Sequence, residues 1–196
     1  MTNPLEFQLK QIRELTSQLK IEYTILGGLA VSVYGEPRLT LDIDVNIILD
    51  NGKINTFLKK AKKYGFSPIP SKIKKFIKTT GVIPMKFSKN KVVGKCDFII
   101  AQNPLEYSGI KRARLKKLYS IKLKLITPED LVIHKITSQR PRDIEDLTGI
   151  LIRQKGKLDL HYINLWLKKI SKVNKKPELL HLFKKLIAQK ALSSFV

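Results

Sequence analysis

The chain has 196 residues with one cysteine and three histidines, and its 38 Lys and Arg against 16 Asp and Glu give a formal charge of +22. That length suits one compact domain, or a catalytic core with a small helical appendage, burying roughly 70% of the surface an extended chain exposes. Cys96 alone excludes an internal disulfide, the scattered histidines exclude a zinc cluster, and no apolar run approaches the roughly 18 residues of a membrane span.

Any metal would therefore be held by oxygen. The opening MTNPLEFQLK lacks the basic-then-apolar plan of a secretory signal, so a soluble, cytoplasmic protein is expected. The positive excess favours a polyanionic partner such as nucleic acid, although lysines scattered among Ile and Leu are also what a lysine-rich codon bias produces.

Asn3-Pro4-Leu5-Glu6 combines an N-cap, a proline at the first helical position and a capping-box acid. Leu5, Leu9, Ile12, Leu15 and Leu19 then follow at helical spacing and predict an amphipathic helix. Tyr23 to Leu26 suits a short buried strand, broken by Gly27-Gly28, with a short helix over Leu29 to Tyr34 and a loop at Gly35 and Pro37. Residues 41–49, LDIDVNIIL, alternate and then turn wholly apolar, as a central strand does when only one end carries polar side chains. Asp50-Asn51-Gly52 turns the chain. A helix is expected over 53–64 and strands over 82–87, 92–101 and 119–126, in a mixed sheet.

From Thr127 the pattern changes. Thr127-Pro128-Glu129-Asp130 is a strong helix start, and helical periodicity persists to the end with breaks near Pro141, Gly156 and Pro177. The expected organisation is a catalytic core over 1–126 and a helical part over 127–196 packed against it.

Gly27-Gly28 ends a strand and opens a helix, where backbone N–H groups and the positive helix end can hold phosphate oxygens; alone this is a weak signal, since two glycines at a strand end also make a plain turn. Asp42-Ile43-Asp44 is sharper. Residues i and i+2 of a strand face the same side, so both carboxylates converge while Ile43 points to the core. Flanked by Leu41, Val45 and Ile47, two such anions repel unless a cation neutralises them. Mg²⁺ suits the position, because it takes one or two carboxylates and fills its remaining places with water and phosphate. The competing view is an edge strand with two solvated aspartates.

These residues, with Arg38, Thr40 and Val45, resemble the signature of the polymerase-β-like nucleotidyltransferase superfamily. GGLAVSVYGEPRLTLDIDV is especially similar to minimal bacterial and archaeal members, including the toxins of abortive-infection toxin-antitoxin pairs. The resemblance implies a third carboxylate from a neighbouring strand, and Asp97 is the only acid between Asp50 and Glu106. It extends to ITPEDLVIHKITSQRPRDIEDLTGIL, and the two blocks span residues 22 to 151. By position Lys135 would reach the triphosphate or the edge of the site, with Arg140, Asp143 and Asp146 orienting it. As plain chemistry, Asp143 and Asp146 are also acids in the first turns of a helix, able to pair with Arg140 or Arg142.

The implied fold is α+β, a mixed-sheet nucleotidyltransferase core with C-terminal helices. The implied reaction moves a nucleoside monophosphate from a triphosphate to an acceptor hydroxyl. Asp42 and Asp44 would hold the nucleotide's Mg²⁺, Asp97 would share a second metal or act as base, Gly27 and Gly28 would grip phosphate, and Arg38 would neutralise it. Thirteen lysines and no acid between Lys53 and Lys95 favour RNA, a tRNA end for example, as acceptor. An antitoxin would be a further partner. Two alternatives stand beside this: a non-catalytic nucleic-acid-binding module, and an enzyme modifying a small molecule or a protein hydroxyl. Cys96 reads as a buried strand residue, and His134, His161 and His181 lack ligand spacing.

Overall fold

The computed structural model describes residues 3–40 and 42–192; Leu41, which the sequence places at the start of a strand, lies outside them. Contacts within the chain define two units, one of residues 1–29 and 39–126, the other of 30–38 and 127–196.

The first unit is built on a mixed seven-stranded sheet. Its strands are β1 (Tyr23–Leu26), β2 (Asp42–Ile47), β3 (Phe66–Pro68), β4 (Val82–Lys89), β5 (Val92–Ile100), β6 (Arg114–Leu118) and β7 (Ile121–Leu125), in the order β3-β4-β5-β2-β1-β7-β6. β2 runs antiparallel to β1 and parallel to β5, and β1 runs parallel to β7, so the wholly buried β1 and the inner part of β2 lie in the middle.

Alternation along β2, β4 and β5 separates two faces. One carries Ile43, Val45, Ile47, Ile83, Met85, Phe87, Cys96 and Phe98, all essentially inaccessible. Helix α1 (Pro4–Gln18) and helix α3 (Ile54–Lys63) supply the partners of that face: the Phe7 ring lies 6.0 Å from Phe87, and Phe57 meets Phe98 edge-on at 5.1 Å. The other face carries Asp42, Asp44, Lys86, Lys95 and Asp97, which are exposed or half-buried.

The start of α1 follows from its sequence, since Asn3 Oδ1 accepts from the Leu5 and Glu6 N–H groups. The Glu6 carboxylate, however, accepts from the Ser120 hydroxyl and pairs with Lys10 rather than closing a capping box. Two more helices, α4 (Ile73–Thr80) and α5 (Pro104–Arg112), belong to this unit. The strand expected over 119–126 is one arm of a hairpin, with β6 as the other and Tyr119 at a φ of +54° in the turn.

Helix α2 (Gly27–Tyr34) begins in the first unit and continues into the second. The second unit adds α6 (Pro128–Ser138), α7 (Pro141–Arg153), α8 (Leu160–Asn174) and α9 (Glu178–Leu192). Thr127 caps α6 by accepting from the Asp130 N–H while its hydroxyl donates to the Asp130 carboxylate at 2.7 Å. Leu131, Ile133, Ile136, Leu147, Ile150, Ile163, Leu167 and Phe183 form the core of this unit.

Candidate functional site

Asp42 and Asp44 stand at the first and third positions of β2 and therefore on one face. The parallel register sets Asp44 opposite Asp97 of β5 and Asp42 opposite Lys95, so the third acid joins the same face in the adjacent strand. Asp42 is exposed, and Asp44 and Asp97 are half-buried.

Gly27 closes the site from β1. Leu26 pairs with Asp44 across the antiparallel ladder, and the next residue, Gly27, takes a φ of +65° as α2 begins. A Cβ there would stand 1.8 Å from Asp44 Oδ2 and 2.8 Å from its Cγ. The left-handed backbone favours glycine, and the close carboxylate leaves no room for a Cβ unless Asp44 moves. Gly28 follows, buried within the first turn of α2.

The electrostatics match this crowding. Burial raises the Asp97 carboxyl above its ordinary value, the charge of Asp42 raises it further, and Lys95 works against both. Cys96 points the other way, into the core. Burial first, then the Asp97 and Asp44 charges, push its thiol well up, so it is no nucleophile.

The three acids share a face without closing on one another: among the described residues no group of three His, Cys, Asp or Glu side chains is gathered tightly enough to hold a metal ion alone. Such an open set fits a hard cation that takes one or two carboxylates and obtains its other oxygens from water and phosphate, and does not fit an all-protein cage. The Asp42 charge felt by Asp97 and the glycine cradle under Asp44 agree with that fit.

The residues expected around the nucleotide from Arg38 onward belong to the second unit. There Arg38 grips Asp146 with two parallel bonds, Nε to Oδ1 at 2.8 Å and a terminal nitrogen to Oδ2 at 3.0 Å. Lys135 Nζ donates to Asp146 at 2.7 Å and to Asp143, which also accepts from Ser138. Burial would raise Asp146, but the bonds from Arg38 and Lys135 prevail and hold its carboxyl below the usual range. Two cations and two anions form one balanced cluster joining the 30–38 segment to α6 and α7. Arg140 stands apart, exposed at the N-cap of α7 and without an ion pair among the described residues.

Lys86 and Lys95 were not singled out by the sequence reading. The register of β4 and β5 pairs them, and β2 adds Asp42 in the same row, so both amines flank the acids on the open face. The spacing of Lys95 and Asp97, two apart in one strand, carried that signal.

The mixed sheet thus carries Asp-x-Asp opening an inner strand, a third carboxylate in register beside it and a glycine turn beneath. The chain belongs to the family described as "Nucleotidyltransferase of unknown function (DUF6036)", which matches residues 5–179. No curated protein matches it. Among solved structures it is similar to an antigenic nucleotidyltransferase-like protein from Paracoccidioides brasiliensis, 22% identical over 92% of this chain and 91% of that one, with a TM-score of 0.54. It is also similar to the antibiotic-resistance factor ANT(2'')-Ia in its solution structure, 9% identical over 86% of this chain and 93% of that one, with a TM-score of 0.52. At those identities the likeness is one of fold. No helix among the described residues is long and apolar enough to cross a membrane.

Proposed function

We propose that this nucleotidyltransferase transfers a nucleoside monophosphate from a nucleoside triphosphate to a hydroxyl of RNA, working in the cytoplasm. The observation that carries the proposal is the register of Asp44 opposite Asp97, with Gly27 held free of side chain beneath Asp44.

Asp42 and Asp44 would hold Mg²⁺ with the triphosphate, and the ion's contribution is to screen phosphate charge and orient the phosphorus for in-line attack. Asp97, made more basic by burial and by Asp42, accepts the proton of the attacking hydroxyl. The hydroxyl oxygen then bonds to the α-phosphorus, the bond from that phosphorus to the β-bridging oxygen breaks, and pyrophosphate leaves. Gly27 and Gly28 let the phosphates approach the backbone at the start of α2. Lys135 and Arg38, with Asp143, are assigned to the nucleotide by resemblance alone, Arg140 likewise.

RNA is favoured as acceptor by the placement of Lys86 and Lys95 beside the acids and by the acid-free basic stretch around them. A cationic small acceptor such as an aminoglycoside would need an acidic pocket, and the neighbours of this site are lysines. The toxin assignment, with an antitoxin partner, rests on the motif resemblance, and growth arrest on expression that requires Asp42 tests it.

The decisive experiment supplies purified protein with each labelled nucleoside triphosphate, Mg²⁺ and total cellular RNA, protein or small-molecule extract. Label on RNA is expected, and neither Asp42→Asn nor Asp44→Asn should produce it. Label confined to protein or small molecules would overturn the RNA acceptor; no label with any acceptor would leave a binding module on this fold.

A further inference from the structure

Helix α4 is an odd piece of structure by the usual criteria of stability. It is eight residues long, its sequence is IKKFIKTT, and Ile77 is its one buried side chain. Lys72 sits at its N-cap with Lys74 and Lys75 in the first turn, so positive charge is stacked on the positive end of the helix dipole with no acid to offset it. Among the described residues Lys72, Lys74, Lys75 and Lys78 pair with no carboxylate. Packing accounts for Ile77 and leaves the choice of lysines at the N-terminal end unexplained.

The two flanks of the helix explain it better. Lys74, Ile77, Lys78 and Gly81 fall at spacings of three, four and seven on one flank; Lys72, Lys75, Phe76 and Thr79 do so on the opposite flank. Each flank lines its own concavity. The first, about 640 Å³, also receives Asn51, Asn55, Gln102 and the Tyr107 ring of α5. Its one acid, Asp50, is paired with Lys53 at 3.2 Å. The second, about 360 Å³, is lined by Phe76 together with Lys72 and Lys75. Phe76 is 38% exposed and Tyr107 43%, whereas Phe57, Phe66 and Phe87 are in the core and Tyr64 is half-buried with the Lys89 amine 5.7 Å from its ring.

Each flank therefore offers one accessible ring beside two unpaired lysines, and the larger adds amide groups able to meet base edges. Rings take the faces of unpaired bases and lysines take the phosphates between them; a duplex hides those faces. The larger concavity is lined by Leu49 and Asp50, beyond the end of β2, and by Ile100 at the end of β5, whereas Asp42 and Asp44 stand at the start of β2.

We propose that α4 is a gripping element for single-stranded RNA, with Phe76 and Tyr107 stacking unpaired bases on its two flanks and Lys72, Lys74, Lys75 and Lys78 holding the intervening phosphates. This rests on the RNA reading of the acceptor and adds to it a second, non-catalytic contact.

Fluorescence anisotropy with a labelled, unstructured single-stranded RNA and with the same strand in a duplex tests it on the intact chain. Phe76→Leu and Tyr107→Leu keep apolar bulk and lose the ring. Each is expected to weaken single-strand binding about tenfold, while Phe76→Trp retains it. Lys74→Gln and Lys78→Gln should each lower the salt slope of binding by about one, on a plot of log affinity against log salt. Wild-type protein that binds no RNA would overturn both the acceptor and the grip. Wild-type binding left intact by the leucine variants, or equal affinity for the duplex, would overturn the grip alone.

Discussion

Gly27 and Asp44 share one space: a single methyl on the glycine would overlap the aspartate's carboxylate, with 1.8 Å between Cβ and Oδ2. Gly27→Ala must either turn Asp44 aside or move the start of α2, and its φ of +65° adds roughly 1 kcal/mol of backbone cost. Displacing a reacting group by about 1 Å can cost roughly a hundredfold in rate. The expected variant is folded, melts slightly earlier and has lost about a hundredfold in nucleotidyl transfer. Thermal unfolding beside the label-transfer assay checks this, and full activity would show that Asp44 is not held where it works.

Asp97→Asn separates chemistry from folding. Burial and Asp42 raise the Asp97 carboxyl, so its ionised form disfavours the unliganded fold: its stability contribution is full below the unfolded value and falls as pH rises through the folded one. An amide has no charge to lose. The variant should therefore melt no earlier than the parent at neutral pH while its single-turnover rate drops at least about a hundredfold, with nucleotide affinity little changed. An active variant would remove Asp97 from the mechanism, and a destabilised one would make it structural.

Asp146 carries the opposite sign. Despite its burial, the bonds from Arg38 and Lys135 hold its carboxyl below the ordinary value, so the stability it contributes is full above the unfolded value and is lost as pH falls through the folded one. Removing one partner from a buried ion cluster costs about 3 kcal/mol. Asp146→Asn is expected to destabilise by that order at neutral pH and by less in acid, where the parent has lost the interaction too. Denaturant titrations at neutral pH and below the aspartate range would measure both, and a pH-independent difference would exclude the ion cluster as its source.

What could be read in advance, and what could not, follows from how local each signal is. The cap at Asn3, the glycine break after β1 and the acid pair in β2 are written in neighbouring residues. The same grammar opens α5, where Asn103 Oδ1 accepts from the Glu106 N–H, although that helix is not among the elements expected from the sequence. β3 has three residues including Pro68, and β6 is RLKKL with nothing buried; both are edge strands whose existence depends on a neighbour rather than on their own pattern. The pairing of Asp44 with Asp97 is a property of strand order, and no spacing along the chain specifies it. The charge cluster of Arg38 with Asp146 likewise joins residues far apart in sequence.

Lys95 joins the charge of the acceptor side to the basicity of the catalytic acid. It faces Asp42 across the β2–β5 pairing and lies two residues from Asp97 on the same face, and its charge pulls the Asp97 carboxyl down against burial and Asp42. Lys95→Gln removes that restraint, so Asp97 should rise further and stay protonated to a higher pH. A protonated Asp97 cannot accept the hydroxyl proton, so the acid limb of the activity profile should move to higher pH, with the plateau above it reduced far less. The same change removes one amine from the acceptor side, and RNA affinity should lose about one unit of salt slope. A profile moved to lower pH, or left in place while RNA binding weakens, would mean that Lys95 holds acceptor only and that Asp97 does not titrate in the rate-limiting step.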